Sequence, residues 1–249
     1  MKELAKGFQR IIQSKSNADT KNWFENYLKG SIKYRGVKTP EVRKELKLFV
    51  KEHELLDCST KKQLSFCMEL FASKFAEDKF AAIIFLQDYM VGMVPPHDIL
   101  DFSEKLFKKK LLFDWSTTDW FCVRVLDKLV VSSNLQVAKR IAGWRKSDYL
   151  WQRRASVVPF RGSTKDEKRV RLALGTAKFL VKEEERFIQT GIGWVLSDLS
   201  KVNPGVVNEF FLKYMESINL EIFMRHTKYL KNRKQLIERK KNLLENKNY

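Results

Sequence analysis

Apolar residues recur along this chain with the three- and four-residue spacing of amphipathic helices. Leu4, Phe8 and Ile12 follow this period near the start, and residues 40–53 repeat it further on. Asp78 is predicted to begin the next helix, FAAIIFLQDYM, which is apolar nearly all round and is therefore predicted to be buried. No segment of four or more residues alternates in the manner of a strand. The pattern therefore predicts an all-α protein.

The predicted helices fall into pairs of about 35–40 residues that recur along the chain, for example from residues 40, 78, 116 and 164. This spacing predicts an α-solenoid of HEAT-like antiparallel helix pairs with a concave basic face. Because the pairs share little sequence, the prediction depends on helix spacing alone. We expect one HEAT-like-repeat domain at residues 1–230 and a basic C-terminal tail at residues 231–249.

Capping residues predict several helix starts. The predicted caps are Thr39 before Pro40, the pair Thr60 and Gln63, Asn134, Ser147, and the pair Thr164 and Glu167. Each lies immediately before an apolar periodic segment, which is where the first free N–H groups of a helix need acceptors.

The stretch Leu111–Leu129 is predicted to form one helix with two different faces. Its buried face is predicted from apolar residues at helical spacing: Leu112, Cys122, Val123, Leu126 and Leu129. Trp115 and Asp119 are four residues apart and therefore share another face. Two interpretations are open at this point. One is a solvated acid beside a half-buried tryptophan, and the other is a site for a cationic or electron-poor group.

The charge composition narrows the class of partner. Lys and Arg number 48 against 30 Asp and Glu, which gives a net charge of +18. This excess indicates a polyanionic partner, nucleic acid first and an anionic membrane surface second, with a merely soluble cationic protein as the alternative. No run approaches the roughly 20 apolar residues of a membrane span, and the first residues lack the apolar core of a signal peptide. We therefore expect no membrane association.

The cysteines and histidines predict neither disulfides nor a metal site. Cys58, Cys67 and Cys122 are odd in number, lack paired spacing and lie in apolar helical patterns, as core residues of a reducing compartment do. The three histidines are scattered, and no two have the spacing of metal ligands. We predict no metal and no cofactor.

Two basic segments are candidates for contacts with phosphates. The first surrounds the turn at residues 35–47 and contains Arg35, Lys38, Arg43, Lys44 and Lys47. A solvated helix face explains this cluster equally well. The second is the tail from Arg225, in which nine Lys and Arg outweigh two Glu. The tail is either a helix that becomes ordered on a phosphate backbone or a disordered, solubilising segment.

Two further stretches carry residues that complement Trp115 and Asp119 chemically. In YLWQRRASVVPF, Arg153 and Arg154 follow a tryptophan by two and three residues. In ERFIQTGIGWVLSDLSK, Trp194 follows Gly191 and Gly193 within a predicted helix. Because glycine inside a helix costs about 1 kcal/mol relative to alanine, we expect another group, such as a neighbouring helix, to pack against the backbone there.

Together these stretches resemble the DNA alkylation repair enzymes, the AlkD-like HEAT-like-repeat glycosylases that remove alkylated purines. The resemblance covers about residues 5–230 and is carried by KYRGVKTPEVRKE, WSTTD, WQRRASVV and FIQTGIGWVLSDLSK. It implies that the active-site residues of the family, two tryptophans, an aspartate and an arginine, correspond to Trp115, Asp119, Arg154 and Trp194. The residues after Asp119, Trp120 and Phe121, are bulkier than the family pattern.

The resemblance also implies a function. It implies a monofunctional glycosylase without a cofactor that excises N3- and N7-alkylated purines, such as 3-methyladenine and 7-methylguanine, from double-stranded DNA without flipping the base. It further implies a monomer that acts in base excision repair, in the cytoplasm on the nucleoid or in a eukaryotic nucleus. The DNA contacts are expected from Arg153, Arg35, Lys38, Arg43 and Lys44. The alternatives are a non-catalytic HEAT-repeat protein that binds branched or damaged DNA, and a scaffold that binds a protein or an anionic surface.

Overall fold

The computed structural model describes residues 1–246, which form helices and no β-strand. The prediction of an all-α protein is therefore confirmed. The chain divides into two compact units, one that ends at Val125 and one that begins at Leu126. Within residues 1–246, no helix has both the length and the apolar character that crossing a bilayer requires.

The first unit contains seven α-helices among the residues described: α1 (Lys2–Ser14), α2 (Ala18–Tyr27), α3 (Thr39–Glu52), α4 (Thr60–Phe71), α5 (Ala76–Phe85), α6 (Pro96–Lys108) and α7 (Trp115–Phe121). A 3₁₀ turn at Leu55–Asp57 and a π-helical turn at Leu86–Met90 extend α3 and α5. Helices α4 and α5 pack against each other, and α3 and α7 also pack against α5. Every residue of α5 is buried. The apolar run that starts at Phe80 predicts this for the second half of the helix. The helix begins at Ala76, before the predicted start at Asp78, and also buries the charged residues Glu77, Asp78 and Lys79.

The second unit contains eight α-helices among the residues described: α8 (Asp127–Ser132), α9 (Leu135–Gly143), α10 (Leu150–Arg154), α11 (Glu167–Leu180), α12 (Arg186–Ser200), α13 (Pro204–Lys213), α14 (Leu220–His226) and α15 (Arg233–Glu245). Short 3₁₀ helices lie at Trp144–Lys146 and Val158–Ser163. Helix α12 is central, since α10, α11, α13 and α14 all pack against it. In both units most contacts between α-helices join first or second neighbours along the chain, as expected of stacked helix pairs, and α1 also packs against α4.

The helix predicted at residues 111–129 starts later and is less regular than its sequence suggests. Helix α7 begins at Trp115, a π-helical turn follows at Cys122–Leu126, and α8 continues the chain. A π-helical turn has more residues than an α-helical turn and rotates the faces that follow it. Val125 is therefore fully buried, and Val123, which was predicted to be in the core, is only half-buried.

Predicted helix caps are confirmed at one position and displaced at the others. The side chain of Asn134 accepts hydrogen bonds from two N–H groups in the first turn of α9. The residues that precede the other four helices are Lys38 for α3, Ser59 for α4, Tyr149 for α10 and Asp166 for α11. Of these four residues, only Asp166 accepts a hydrogen bond from its helix through its side chain. A capping signal therefore locates a helix start only to within a few residues.

Most of the basic C-terminal segment is helical and packed. Helix α15 contacts α14, and its Leu236 and Lys240 are buried. The Nζ atom of Lys240 donates a hydrogen bond to the carbonyl oxygen of Met215 at 2.8 Å. Of the two alternatives for the tail, the disordered segment does not fit residues 233–245, which are helical, while Lys247 lies outside the described residues.

Candidate active site

The start of helix α7 is fixed by the buried carboxylate of Asp114. This side chain is 1% exposed and accepts hydrogen bonds from the backbone N–H groups of Ser116, at 2.9 Å, and Thr117, at 3.0 Å. The hydroxyl groups of the same two residues also donate to it. An aspartate at this position satisfies two N–H groups that the helix leaves free. The cap makes Trp115 the first helical residue and places Asp119 one turn further.

A buried lysine lies next to this cap. Lys79 of α5 is fully buried, and its Nζ atom donates hydrogen bonds to the carbonyl oxygens of Phe71 and Leu111, the latter at 2.8 Å. Burial lowers the pKa of the Lys79 ammonium to about 8, although the negative charge of Asp114 opposes this shift. The lysine therefore ties the segment before α7 to the end of α4.

Trp115 and Asp119 lie one turn apart on α7, as their spacing predicts. Trp115 is half-buried, and Asp119 is 9% exposed. A carboxylate with so little exposure does not fit the interpretation of a solvated acid. An aromatic side chain and a buried acid on one helix instead favour a site for a group that carries or develops positive charge.

An aromatic pair on helix α2 extends the surface next to Trp115. The ring of Tyr27 meets that of Trp115 edge-to-face, with centroids 5.8 Å apart. Trp23 stacks on Tyr27 with ring centroids 5.3 Å apart, and Trp23 and Tyr27 are each 60% exposed. The sequence showed aromatic residues on a short helix but not their exposure, because a single helical turn does not reveal which side faces a core.

In the second unit, Arg154 is the last residue of α10 and is 4% exposed. Its Nη1 atom donates hydrogen bonds to the carbonyl oxygen of Phe187 and to Oγ1 of Thr190, the latter at 3.1 Å. A Cβ atom at Gly191 would lie 3.1 Å from this same nitrogen. The glycine therefore allows the arginine to lie against helix α12, one turn before Trp194.

Gly193, the second glycine within helix α12, lies against a neighbouring helix. A Cβ atom there would lie 2.6 Å from Cδ2 of His226 and 2.7 Å from Cγ2 of Ile222, both on α14. The prediction that a group packs against this glycine backbone is confirmed, and the group is a neighbouring helix. Burial lowers the pKa of His226 to about 4, and the adjacent cation of Arg225 adds to the effect. Trp194 itself is half-buried.

Arg161 covers one face of Trp194 and was not predicted from the sequence. Its guanidinium carbon lies 3.6 Å from the centroid of the indole ring. Its Nε atom donates a hydrogen bond to Oδ2 of Asp198 at 2.6 Å. The residue lies in the segment PFRGS, which the sequence marks only as a connection between helices. The signal available was an arginine between proline and glycine, which does not indicate an aromatic partner more than 30 residues away.

The basic turn at residues 35–47 is only partly exposed. Arg35 is 7% exposed, forms a 2.7 Å ion pair with Asp78 and stacks over the ring of Phe75 at 3.9 Å. Its backbone N–H, with those of Gly36 and the next residue, donates to Oε1 of Glu77. Arg35 is therefore a buried structural cation. Its surroundings do not fit the predicted contact with DNA.

The other predicted DNA contacts are more accessible. Lys38 and Lys44 are exposed, and Lys44 lies 3.5 Å from Glu41, a weak surface pair. Arg43 is partly exposed and pairs with Asp88. Arg153 pairs with Glu183 at 3.1 Å and donates to the carbonyl oxygen of Ser147.

Metal ligation receives no support from the residues that the structure describes. Among residues 1–246, no three His, Cys, Asp or Glu side chains group closely enough to hold a metal ion. The cysteines of this part of the chain are free thiols, two of them buried.

The fold and these side chains define an all-α protein of packed helices, which presents a buried acid and an adjacent tryptophan in one unit and an arginine and a tryptophan in the other. The model of the DNA alkylation repair enzyme family matches residues 8–233. Because the match covers most of the chain, the protein belongs to the DNA alkylation repair enzyme family. A solved structure, the predicted DNA alkylation repair enzyme from Enterococcus faecalis, shares the fold with a TM-score of 0.71. That chain is 20% identical to this one, and the alignment covers 87% of this chain and 97% of the other. Among curated proteins, none matches.

Proposed function

We propose that this protein is a monofunctional DNA glycosylase that hydrolyses the N-glycosidic bond of N3- and N7-alkylated purines in double-stranded DNA. Its substrates would include 3-methyladenine and 7-methylguanine, and the reaction would begin base excision repair. The observation that carries the proposal is the buried carboxylate of Asp119, one helical turn from Trp115, in a chain of the DNA alkylation repair enzyme family. Neither a cofactor nor a metal has a part in the proposed reaction.

The proposed chemistry depends on the charge of the damaged base. An N3- or N7-alkylated purine is cationic, so the bonding electrons of the glycosidic bond pass to the base and it leaves neutral. The sugar then develops positive charge at C1′, and a carboxylate stabilises that charge. Asp119 would serve in this way and would accept a proton from the water molecule that attacks C1′. A neutral leaving group needs no general acid, so Asp119 is the only acid–base residue that the proposal requires.

The other predicted residues receive roles that match their chemistry. Trp115 and Trp194 would lie against the deoxyribose and favour its cationic form through their π faces. Arg154 would hold a phosphate beside the lesion. Because its side chain is 4% exposed and donates hydrogen bonds to Phe187 and Thr190, this role requires the guanidinium to move when DNA binds. Recognition would occur mainly through the DNA backbone, without transfer of the base into a deep pocket. The proposed backbone contacts are Lys38, Arg43, Lys44 and Arg153.

The test is base release from methylated duplex DNA under single-turnover conditions. We expect the wild type to release 7-methylguanine and 3-methyladenine and to leave the abasic strand uncut, because no lyase step is involved. Asp119→Asn should bind the duplex as tightly as the wild type and lose about 100-fold or more of the rate, the size of a lost electrostatic contact at a reacting centre. Asp57→Asn, the same change at an exposed aspartate of the first unit, is the control.

Three results would contradict this proposal in different ways. A wild type that binds duplex DNA with steep salt dependence but releases no base is a non-catalytic DNA-binding relative. A wild type with neither activity is a scaffold for a protein or an anionic surface. Full activity in Asp119→Asn would show that the reaction occurs but that another group stabilises the sugar.

A further inference from the structure

The contacts around Trp194 point to a further residue in the proposed reaction. We infer that Arg161 is a positioning residue that holds the indole of Trp194 in one orientation. This inference rests on the proposed function, because Trp194 is one of the residues assigned to the sugar. The guanidinium of Arg161 lies 3.6 Å from the centroid of the ring, close enough for a strong cation–π contact.

The guanidinium is itself fixed by an aspartate of the same helix as Trp194. Trp194 and Asp198 are four residues apart on α12 and therefore lie on one face. Oδ2 of Asp198 accepts a hydrogen bond from Nε of Arg161 at 2.6 Å, and Oδ1 accepts one from Lys201 at 2.6 Å. The side chains of Arg161 and Asp198 are only 22% and 15% exposed. The arginine thus spans the tryptophan and the acid with little freedom to turn away.

The backbone that carries Arg161 is also held. The next residue, Gly162, donates its N–H to Oδ2 of Asp127 at 2.8 Å. A Cβ atom at Gly162 would lie 2.5 Å from the other oxygen of this carboxylate, so only glycine fits without movement. Burial raises the pKa of Asp127, and the hydrogen bond from Gly162 opposes that shift. Pro159 and Phe160 are buried, which further restricts the movement of this segment.

A fixed indole matters because a π face stabilises a cation only when the ring lies over it. Misplacement of a catalytic group by about 1 Å is enough to cost up to 100-fold in rate. An arginine that merely bound phosphate would instead affect affinity for DNA and its dependence on salt. These two roles therefore predict different results for the same variant.

The experiment uses the full-length protein and two measurements. In protein labelled with ¹⁵N-tryptophan, six indole N–H signals are expected, and the signal absent from Trp194→Phe belongs to Trp194. Arg161→Gln should shift or broaden this signal in the DNA-free protein. It should also slow single-turnover base release roughly tenfold or more, with the dissociation constant for duplex DNA and its salt dependence unchanged. Arg161→Lys keeps the positive charge but not the planar stack. Its rate of base release should therefore lie between the rates of the wild type and Arg161→Gln.

The matched control is a second arginine–tryptophan pair. The guanidinium of Arg124 lies 5.1 Å from the ring centroid of Trp120, and Arg124 is exposed. Arg124→Gln should leave both the Trp194 signal and the rate of release unchanged. An unchanged Trp194 signal in Arg161→Gln overturns the inference. Weaker DNA binding with a smaller salt dependence and an unchanged rate at saturating enzyme also overturns it, and makes Arg161 a phosphate contact. If the wild type releases no base, the proposed function fails, and the indole signal alone decides whether Arg161 positions Trp194.

Discussion

Replacing Gly193 by alanine should destabilise the protein, although alanine normally favours a helix. The new Cβ atom would lie 2.6 Å and 2.7 Å from side-chain carbons of His226 and Ile222. Carbon atoms in ordinary contact are about 3.5–4.0 Å apart, so the two side chains must retreat by about 1 Å. They lie one turn apart on α14, and both would press on that helix in the same direction. Overpacking of this kind costs about 1–3 kcal/mol, against a gain in helix propensity of about 1 kcal/mol. We expect a net loss of about 1 kcal/mol, and of at most about 2 kcal/mol.

Gly175→Ala is the matched control for this substitution. Gly175 lies in the middle of helix α11, is exposed, and has no atom within 4 Å of the Cβ position. The same chemical change there should stabilise the protein by up to about 1 kcal/mol. Equilibrium unfolding in urea measures the free energy of unfolding of both variants. Similar slopes of this free energy against urea concentration would show that their unfolded states are comparable. If Gly193→Ala is as stable as Gly175→Ala, the close packing of α14 on α12 is not as described.

The remaining predictions concern the polar groups before helix α7. Burial lowers the pKa of Lys79 to about 8 from an ordinary value of 10.5, so the folded state loses this proton at lower pH than the unfolded state. The free energy of unfolding of the wild type, relative to that of Lys79→Met, should therefore rise by roughly 3 kcal/mol as pH increases from 8 to 10.5. Chemical unfolding at several pH values measures this difference. If the stabilities of the two proteins depend on pH in the same way, the ammonium of Lys79 is not buried as described. Asp114→Ala removes a helix cap and leaves buried donors without an acceptor, so we expect a loss of about 2 kcal/mol in the same assay and slower base release. Asp114→Ala with wild-type stability and activity would show that the cap does not position Trp115 and Asp119.

Helix content and the buried helix α5 were predictable because both depend on signals that repeat over many residues. The apolar run from Phe80 to Phe85 predicts the burial of the second half of α5, whereas the burial of Glu77, Asp78 and Lys79 in its first half could not be predicted. The π-helical turn at Cys122–Leu126 was not predictable, because no residue type marks the extra residue that it contains. The prediction of Val123 as a core residue therefore failed, whereas Leu126 and Leu129 are buried as expected.

The residue types of the candidate site could be read from motifs, but their surroundings could not. A spacing of four residues places Trp115 and Asp119 on one helix face and says nothing about what covers that face. The low exposure of Asp119 comes from tertiary packing. The same limit applies to Arg35, which has the sequence context of a surface cation and is paired with Asp78, 43 residues later. A charged residue has the same appearance in a sequence whether it binds a phosphate or a buried carboxylate.

Two buried charged side chains, Lys79 and Asp114, hold the segment that leads into the candidate catalytic helix α7, and there is a physical reason why charged groups are found there. Apolar packing has little directional preference, so it holds helices together without fixing where one begins or how it is rotated. Hydrogen bonds to a charged group are both strong and directional. Lys79 binds two backbone carbonyls and Asp114 receives four donors, and together they fix the first turn of α7. Such groups are expensive to bury, which is understandable where a tryptophan and a carboxylate must keep one orientation. The proposed reaction depends on the placement of a single charge, so it would require this directional support, which an entirely apolar core would not supply.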